Sequence, residues 1–267
     1  MSTQLEKILA HTRQELAPRR AVADLALLQR QAAAHQPRGF EASLRRAAEQ
    51  GPAVIAELKK ASPSRGLIRA EFDPVSLATS LEAAGATALS VLTDLEFFQG
   101  SLENLTRASA AVKIPCLRKD FIVDAFQIVE ARAAGADAIL LIVAALTDAE
   151  LRDLNAEAKR LELDVLCEVH NAAELDRAAA LGFTIIGVNS RNLHTMQVDP
   201  EGQIALASRL PETVLRVAES GIRTQADMAR MTASGYNAFL IGESLMREAD
   251  PAAALAGLLS REVATKA

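Results

Sequence analysis

A closed (β/α)8 barrel of the TIM type with an N-terminal helical extension is the fold that this sequence predicts, on three observations. Four helix-like segments each end in a glycine (Gly85, Gly135, Gly182 and Gly235), at intervals of 50, 47 and 53 residues, and an apolar run follows each within two or three residues. Glycine just past a helix supplies the left-handed cap from which the chain turns into a buried parallel strand. A period near 50 residues holds two βα units, so four repeats imply eight strands. The length, 267 residues with half of them apolar, suits a barrel, which takes roughly 250 residues as one domain. Finally, four short apolar runs, 54–59, 114–119, 165–168 and 214–219, end in ionisable side chains. Burying such groups costs several kcal/mol per ion unless they are paired or solvated. Four runs carrying two lysines and three glutamates suggest strand ends that converge on an acid–base site.

In chain order, residues 1–48 come first and read as helical, with Leu5, Ile8 and Leu9 on one stripe, a second helical stretch over 21–33, and a break at Pro37-Arg38-Gly39. This extension is too short for a domain of its own and is expected to pack on the barrel, which takes residues 49–267. The strands are expected at 54–59, 88–93, 116–119, 138–143, 165–169, 185–189, 215–219 and 238–241. Amphipathic helices fill the gaps, with starts at Asp73-Pro74, at the capping box Thr147 to Glu150, and at Thr224.

Composition excludes several roles. Cys116 and Cys167 lie inside apolar runs and read as buried thiols of a reduced compartment, so neither a disulfide nor a metal site is expected. The longest apolar stretch, 138–146, is far short of the roughly 18 residues that a membrane span needs. The first 20 residues mix acids and bases around no apolar signal core, so a cytoplasmic protein is expected. A net charge of −5, with 3% aromatic residues and no tryptophan, gives no reason to expect nucleic acid.

In such barrels the active site sits at the C-terminal ends of the strands. Side chains alternate along a strand, so Glu57 and Lys59 share a face at the end of strand 1, ahead of the hydroxyl-rich Ser62-Pro63-Ser64. A surface-edge ion pair is the alternative reading. Leu117-Arg118-Lys119-Asp120-Phe121 ends strand 3, where Arg118 and Asp120 can also be read as an outward, solvated cluster. Glu168 ends strand 5, and His170 beside it reads as a structural or exposed neighbour because no partner acid follows at a telling position. Gly187-Val188-Asn189-Ser190-Arg191-Asn192-Leu193 ends strand 6 with amide and guanidinium groups suited to a polar substrate. Ser220-Gly221 ends strand 7 and Gly242-Glu243 ends strand 8, the two loops where barrels frequently hold a phosphate on backbone N–H groups. With Lys59 and Arg191 nearby, a globally acidic chain would carry a basic pocket for an anionic small substrate.

Six motifs together are highly specific. They are Ala56-Glu57-Leu58-Lys59-Lys60-Ala61-Ser62-Pro63-Ser64, Leu92-Thr93-Asp94 with Phe97-Phe98-Gln99-Gly100-Ser101, Leu117-Arg118-Lys119-Asp120-Phe121, Leu166-Cys167-Glu168-Val169-His170, Asn189-Ser190-Arg191-Asn192-Leu193 and Ala218-Glu219-Ser220-Gly221-Ile222. In this order, one at each of six strand ends, they resemble indole-3-glycerol phosphate synthase over nearly the whole chain. Cys167, Ala125 and the Met196-Gln197 stretch depart from the family's usual pattern, away from its chemistry.

The resemblance implies ring closure of 1-(2-carboxyphenylamino)-1-deoxy-D-ribulose 5-phosphate with loss of CO2 and water. It implies Lys119 as general acid, Lys59 holding the benzoate carboxylate and delivering a proton at dehydration, and Glu168 as base. Glu57 and Glu219 would tune the lysines and bind substrate hydroxyls. Ser62, Phe121, Asn189, Arg191 and Ser220 would complete the pocket, and the phosphate would lie on Gly221, Gly242 and Glu243. The reaction needs no metal and no organic cofactor. The anionic substrate, bearing carboxylate and phosphate, is the expected partner of a monomer or weak homodimer, without membrane or nucleic acid. Two rival functions remain at this point: a Schiff-base aldolase or lyase using Lys119 or Lys59, and a barrel that only binds sugar phosphates.

Overall fold

The computed structural model describes residues 3–192 and 197–260; Leu193 and Met196 of the strand 6 region lie outside them. Eight parallel strands close into a barrel: β1 (Ala53–Leu58), β2 (Ala88–Leu92), β3 (Cys116–Lys119), β4 (Ala138–Ile142), β5 (Asp164–Val169), β6 (Ile185–Asn189), β7 (Leu215–Glu219) and β8 (Ala238–Ile241). Each falls within a residue of its expected bounds. A two-residue hairpin pairing Ala61–Ser62 with Gly66–Leu67 folds the loop after β1, an element that so short a segment does not announce.

The helices that alternate with these strands are α4 (Pro74–Ala83), α5 (Leu102–Ala111), α6 (Ala125–Ala133), α7 (Asp148–Arg160), α8 (Ala172–Ala180), α9 (Pro200–Ala207), α10 (Gln225–Ala233), α11 (Glu243–Met246) and α12 (Pro251–Leu259), after α1 (Gln4–Val22), α2 (Leu25–Ala34) and α3 (Phe40–Ala48). The sequence-marked starts are real caps: the Asp73 carboxylate accepts from the Ser76 N–H, and Thr147 with Glu150 and Thr224 with Asp227 form capping boxes. All four glycines of the repeat have positive φ, between 76° and 103°, as the left-handed cap requires.

The first three helices run from one end of the barrel to the other. Gln4, Leu5 and Ile8 of α1 line the cavity at the mouth. Arg19 and Arg20 then tie α1 to Glu130 and Asp124 of α6 and its cap. Helix α2 packs along α6, and α3 inserts Phe40 and Leu44, both fully buried, beneath the inner barrel residues Ala53, Ala138, Ile185, Leu215 and Ala238.

The strand register places the site. A barrel of eight strands and shear eight advances two residues for every second strand. From Glu57, the pairs Glu57–Ser90 and Ser90–Leu117 lead to β3, and two residues on is Lys119. Leu117–Ala138 and Ala138–Asp164 set Lys119 level with Leu166, and two on is Glu168. Glu168–Gly187 and Gly187–Val217 lead to Glu219, and Glu219–Leu240 and Leu240–Ile55 return to Glu57. Glu57, Lys119, Glu168 and Glu219 are therefore one closed layer of four inward side chains, one from each odd-numbered strand.

Candidate active site

The layer forms the bottom of a mouth cavity of about 760 Å³ that every sequence-marked site residue lines. Glu57, Glu168 and Glu219 are almost fully buried there. Lys119 Nζ lies 3.2 Å from Glu168 Oε2 and 3.9 Å from Glu219 Oε2. Lys59, one residue beyond β1, donates to Glu57 Oε1 at 2.5 Å. Three carboxylates thus face two ammoniums, and the crowding shows in the titration of Lys119, Glu168 and Glu219. Burial works against the Lys119 charge, but Glu168, Glu219 and Glu57 more than offset it, so its pKa is raised. Burial also pushes against the Glu168 charge, yet Lys119, His170 and a hydrogen bond with Asn189 pull its pKa well below the usual carboxylate range. Glu219 is the group left over. Burial and the neighbouring Glu168 charge raise its pKa well above 4.5, and its Oε1 has no hydrogen-bond partner among the described residues.

Even-numbered strands make room for these carboxylates. A Cβ on Gly242 of the β8 end would stand 2.3 Å from Glu57 Oε1, and one on Gly187 of β6 would stand 2.0 Å from Glu219 Oε1. Any side chain at either position displaces a glutamate. Gly242 thus has a packing duty beside the anion-binding one expected from sequence, and Gly187 was read only as the start of the strand 6 segment, with no role of its own. Its signal was visible only as a glycine inside an apolar strand, which commonly marks a close approach.

The corner after β6, β7 and β8 collects the remaining polar groups. Ser220 and Gly221 both have left-handed backbones, φ 67° and 79°; such a conformation costs a serine about 1–3 kcal/mol and tends to persist only at functional turns. The Glu243 carboxylate sits among three arginines, 3.0 Å from Arg65, 3.2 Å from Arg191 and 3.6 Å from Arg247. Its charge is therefore neutralised, leaving its backbone as the part suited to an anion. Ser62, buried beside Ser64, closes the β1 side. The apolar wall comes from Phe121 with Phe98, ring centroids 6.2 Å apart, and from Leu140, Ile142, Leu5 and Ile8.

Two sequence readings need correction. Arg118 and Asp120 do face outward, but they are buried, not solvated: Arg118 is 1% exposed and donates to Thr93 Oγ1, to Asp120 Oδ2 and to the Gln127 carbonyl. This network braces the strand end that carries Lys119. His170 does have a partner acid. Its backbone N–H donates to Glu174 Oε2 at 2.8 Å, Nδ1 lies 3.2 Å from the same oxygen, and Nε2 lies 3.2 Å from Glu168 Oε1. The signal was present as Asn171-x-x-Glu174, a helix-start pattern whose third-position acid folds back toward the preceding residue.

Comparison with known proteins gives the family. The family model described as indole-3-glycerol phosphate synthase matches residues 5–258. A protein of that name from Koribacter versatilis (strain Ellin345) is 61% identical over 259 residues, covering 97% of this chain and 100% of the relative. Another from Albidiferax ferrireducens (strain ATCC BAA-621 / DSM 15236 / T118) is 49% identical over 262 residues, covering 97% and 99%. Among solved structures, a thiamine phosphate pyrophosphorylase from Pyrococcus furiosus shares the fold alone, with a TM-score of 0.59 at 16% identity over 79% of this chain and 95% of that one.

Proposed function

The chain belongs to the indole-3-glycerol phosphate synthase family, and we propose how its mouth residues divide the labour of that reaction. The enzyme closes the ring of 1-(2-carboxyphenylamino)-1-deoxy-D-ribulose 5-phosphate and releases CO2 and water, giving indole-3-glycerol phosphate for tryptophan biosynthesis. The single observation that carries the division is Lys119, held charged between Glu168 and Glu219 in the centre of the mouth layer.

As the aromatic carbon attacks, the ribulose carbonyl oxygen gains negative charge, and the Lys119 ammonium stabilises and then protonates it. The Lys119–Glu168 pair couples this step to a later one. A carboxylate held low by a neighbouring cation is a weak base, so Glu168 stays deprotonated in the free enzyme. Once Lys119 has given up its proton, Glu168 loses that cation and gains basicity, in time to remove the proton whose loss completes the indole. Lys59 exchanges Glu57 for the benzoate carboxylate, holds it until CO2 leaves, and supplies a proton at dehydration. Glu57 and Glu219 receive the sugar hydroxyls, and Glu219 Oε1, unpartnered among the described residues, is free to accept one. Phe121 and Phe98 flank the aromatic ring, and Ser62, Asn189, Arg191 and Ser220 complete the polar wall. The phosphate lies against the backbone of Gly221, Gly242 and Glu243, with Arg191 turning toward it from Glu243.

This division uses neither a metal nor an organic cofactor. We infer a catalyst that works in the cytoplasm as a monomer or weak homodimer, and its net charge of −5 gives no electrostatic reason to expect nucleic acid. Incubation with the carboxyphenylamino-deoxyribulose phosphate, followed by indole fluorescence, tests the reading. Borohydride in the presence of a keto-sugar phosphate should leave the protein unlabelled; a reduced adduct on Lys119 or Lys59 would place an imine in the mechanism and overturn the acid roles of both lysines.

A further inference from the structure

We propose that His170 is a positioning residue for Glu168, and that the Glu174–His170 pair, behind the cavity wall, aims the base at its task. The inference deepens the assignment of Glu168 as base and rests on it. Glu168 is buried at the end of β5 with two oxygens facing different neighbours: Oε2 looks to Lys119 and Oε1 to His170 Nε2, each at 3.2 Å. The imidazole is itself fixed from behind. Glu174 of α8 receives the His170 backbone N–H at 2.8 Å, meets Nδ1 at 3.2 Å, and is held in turn by the Asn171 side-chain amide at 2.5 Å. The ring is therefore clamped between two carboxylates and is only a tenth exposed.

A neutral imidazole has one N–H and no net charge to set against two carboxylates, whereas an imidazolium attracts both. Burial works against that charge, but Glu168 and Glu174 outweigh it and lift the pKa of His170 to about 10. The groups facing Glu168 are then Lys119 from β3, Asn189 from β6, Glu219 from β7 and His170 from its own strand end; those facing His170 are Glu168 and Glu174. Among the described residues, Nε2 is buried without a straight hydrogen bond, so it acts on Glu168 by charge and contact rather than by an aligned bond. The consequence follows from the mechanism. When Lys119 is neutral, the second cation keeps Oε1 anchored, so the carboxylate does not swing away and Oε2 remains aimed into the cavity for the proton it must take.

His170→Asn and Glu174→Gln, with Glu168→Gln as reference, test this through kcat and the pH profile of kcat/KM. Loss of the imidazolium raises the pKa of Glu168, so activity that needs the ionised carboxylate disappears at a higher pH on acidification. The acid limb of kcat/KM should move upward in His170→Asn and by less in Glu174→Gln. In His170→Asn, kcat should fall about tenfold, within the range that misplacing a catalytic group gives, and KM should change little. If both variants keep the wild-type acid limb and kcat, whatever happens to their melting temperatures, His170 is only a structural tether and the proposal is overturned. If His170→Asn does not fold, Glu174→Gln decides by the same two readouts, because it preserves shape at a helix start. An inactive Glu168→Gln beside two unchanged variants would overturn the role of His170 alone. A Glu168→Gln that kept wild-type kcat would overturn the base assignment itself, and the role of His170 with it.

Discussion

At the floor of the barrel Arg38 reaches Asp137 through its backbone N–H, Nε and Nη2, and spends its remaining donors on Ser109, Val112 and Gly135. Asp137 also accepts the Cys116 N–H and meets His35. At the mouth, Lys119 stands among three carboxylates, one of them with an oxygen that finds no partner among the described residues. Both clusters are buried and both join strands distant in sequence. The floor pairs its charges and donors, as a structural ion pair must if it is to offset its desolvation. The mouth leaves Glu219 without an ammonium of its own and with an unsatisfied oxygen, a cost with a purpose only if substrate hydroxyls complete the set. That difference, rather than burial or charge alone, separates a fastening from a reaction site.

Disrupting the floor should have the largest effect on stability. Arg38→Met leaves Asp137 fully buried without its cation, which should cost about 3–5 kcal/mol. Urea unfolding would read the loss, while kcat of the folded fraction should hold.

A subtler change, at the mouth, is Gly242→Ala. Its methyl group would meet Glu57 at 2.3 Å and push the carboxylate off Lys59, so kcat/KM should fall between about tenfold and 10²-fold. Steady-state kinetics beside a melting curve would show whether activity falls more than stability does.

Acidification should move the two ends in opposite directions. Burial opposes the Asp137 charge, but His35 and Arg38 lower its pKa below 3.8, so its stabilisation is complete above that value and is lost as the pH falls through the folded-state pKa. The raised pKa of Glu219 means the reverse: its penalty is full above the folded-state pKa and vanishes below about pH 4.5, where the group is protonated folded or unfolded. Glu219→Gln should therefore raise the melting temperature slightly at neutral pH, by about 2–4 °C for each kcal/mol recovered, and give no gain below pH 4.5. Calorimetry at the two pH values checks it.

Much of this contrast was legible beforehand. Charged residues at strand ends and the glycine period put Glu57, Lys119, Glu168 and Glu219 at one mouth, because alternation along a strand and the fixed stagger of a barrel leave few other places for them. The direction of Arg118 was legible from the same alternation, but not its burial, which depends on Gln127 and Thr93 in other segments. Placement of α1 over the mouth was not legible, since it hangs on Arg19 meeting Glu130 across 111 residues of chain. The floor was equally silent: nothing near Arg38 or Asp137 in sequence says that they meet across 99 residues. Gly187 and Glu174 lay in between, with patterns present in sequence but meaningful only once the facing carboxylates are known.

If the mouth is built for chemistry and the floor for holding, Lys119 is the acid at the centre of the mouth, and one variant bears on that hardest. Lys119→Met keeps most of the stem's bulk and removes the charge and the proton, so kcat and melting temperature should be measured together on it. We expect kcat lower by about 10²–10⁴-fold or more, a far smaller change in KM, and a fold that survives. A variant that folded normally and kept kcat within about threefold of the wild type, well short of that range, would take Lys119 out of the chemistry.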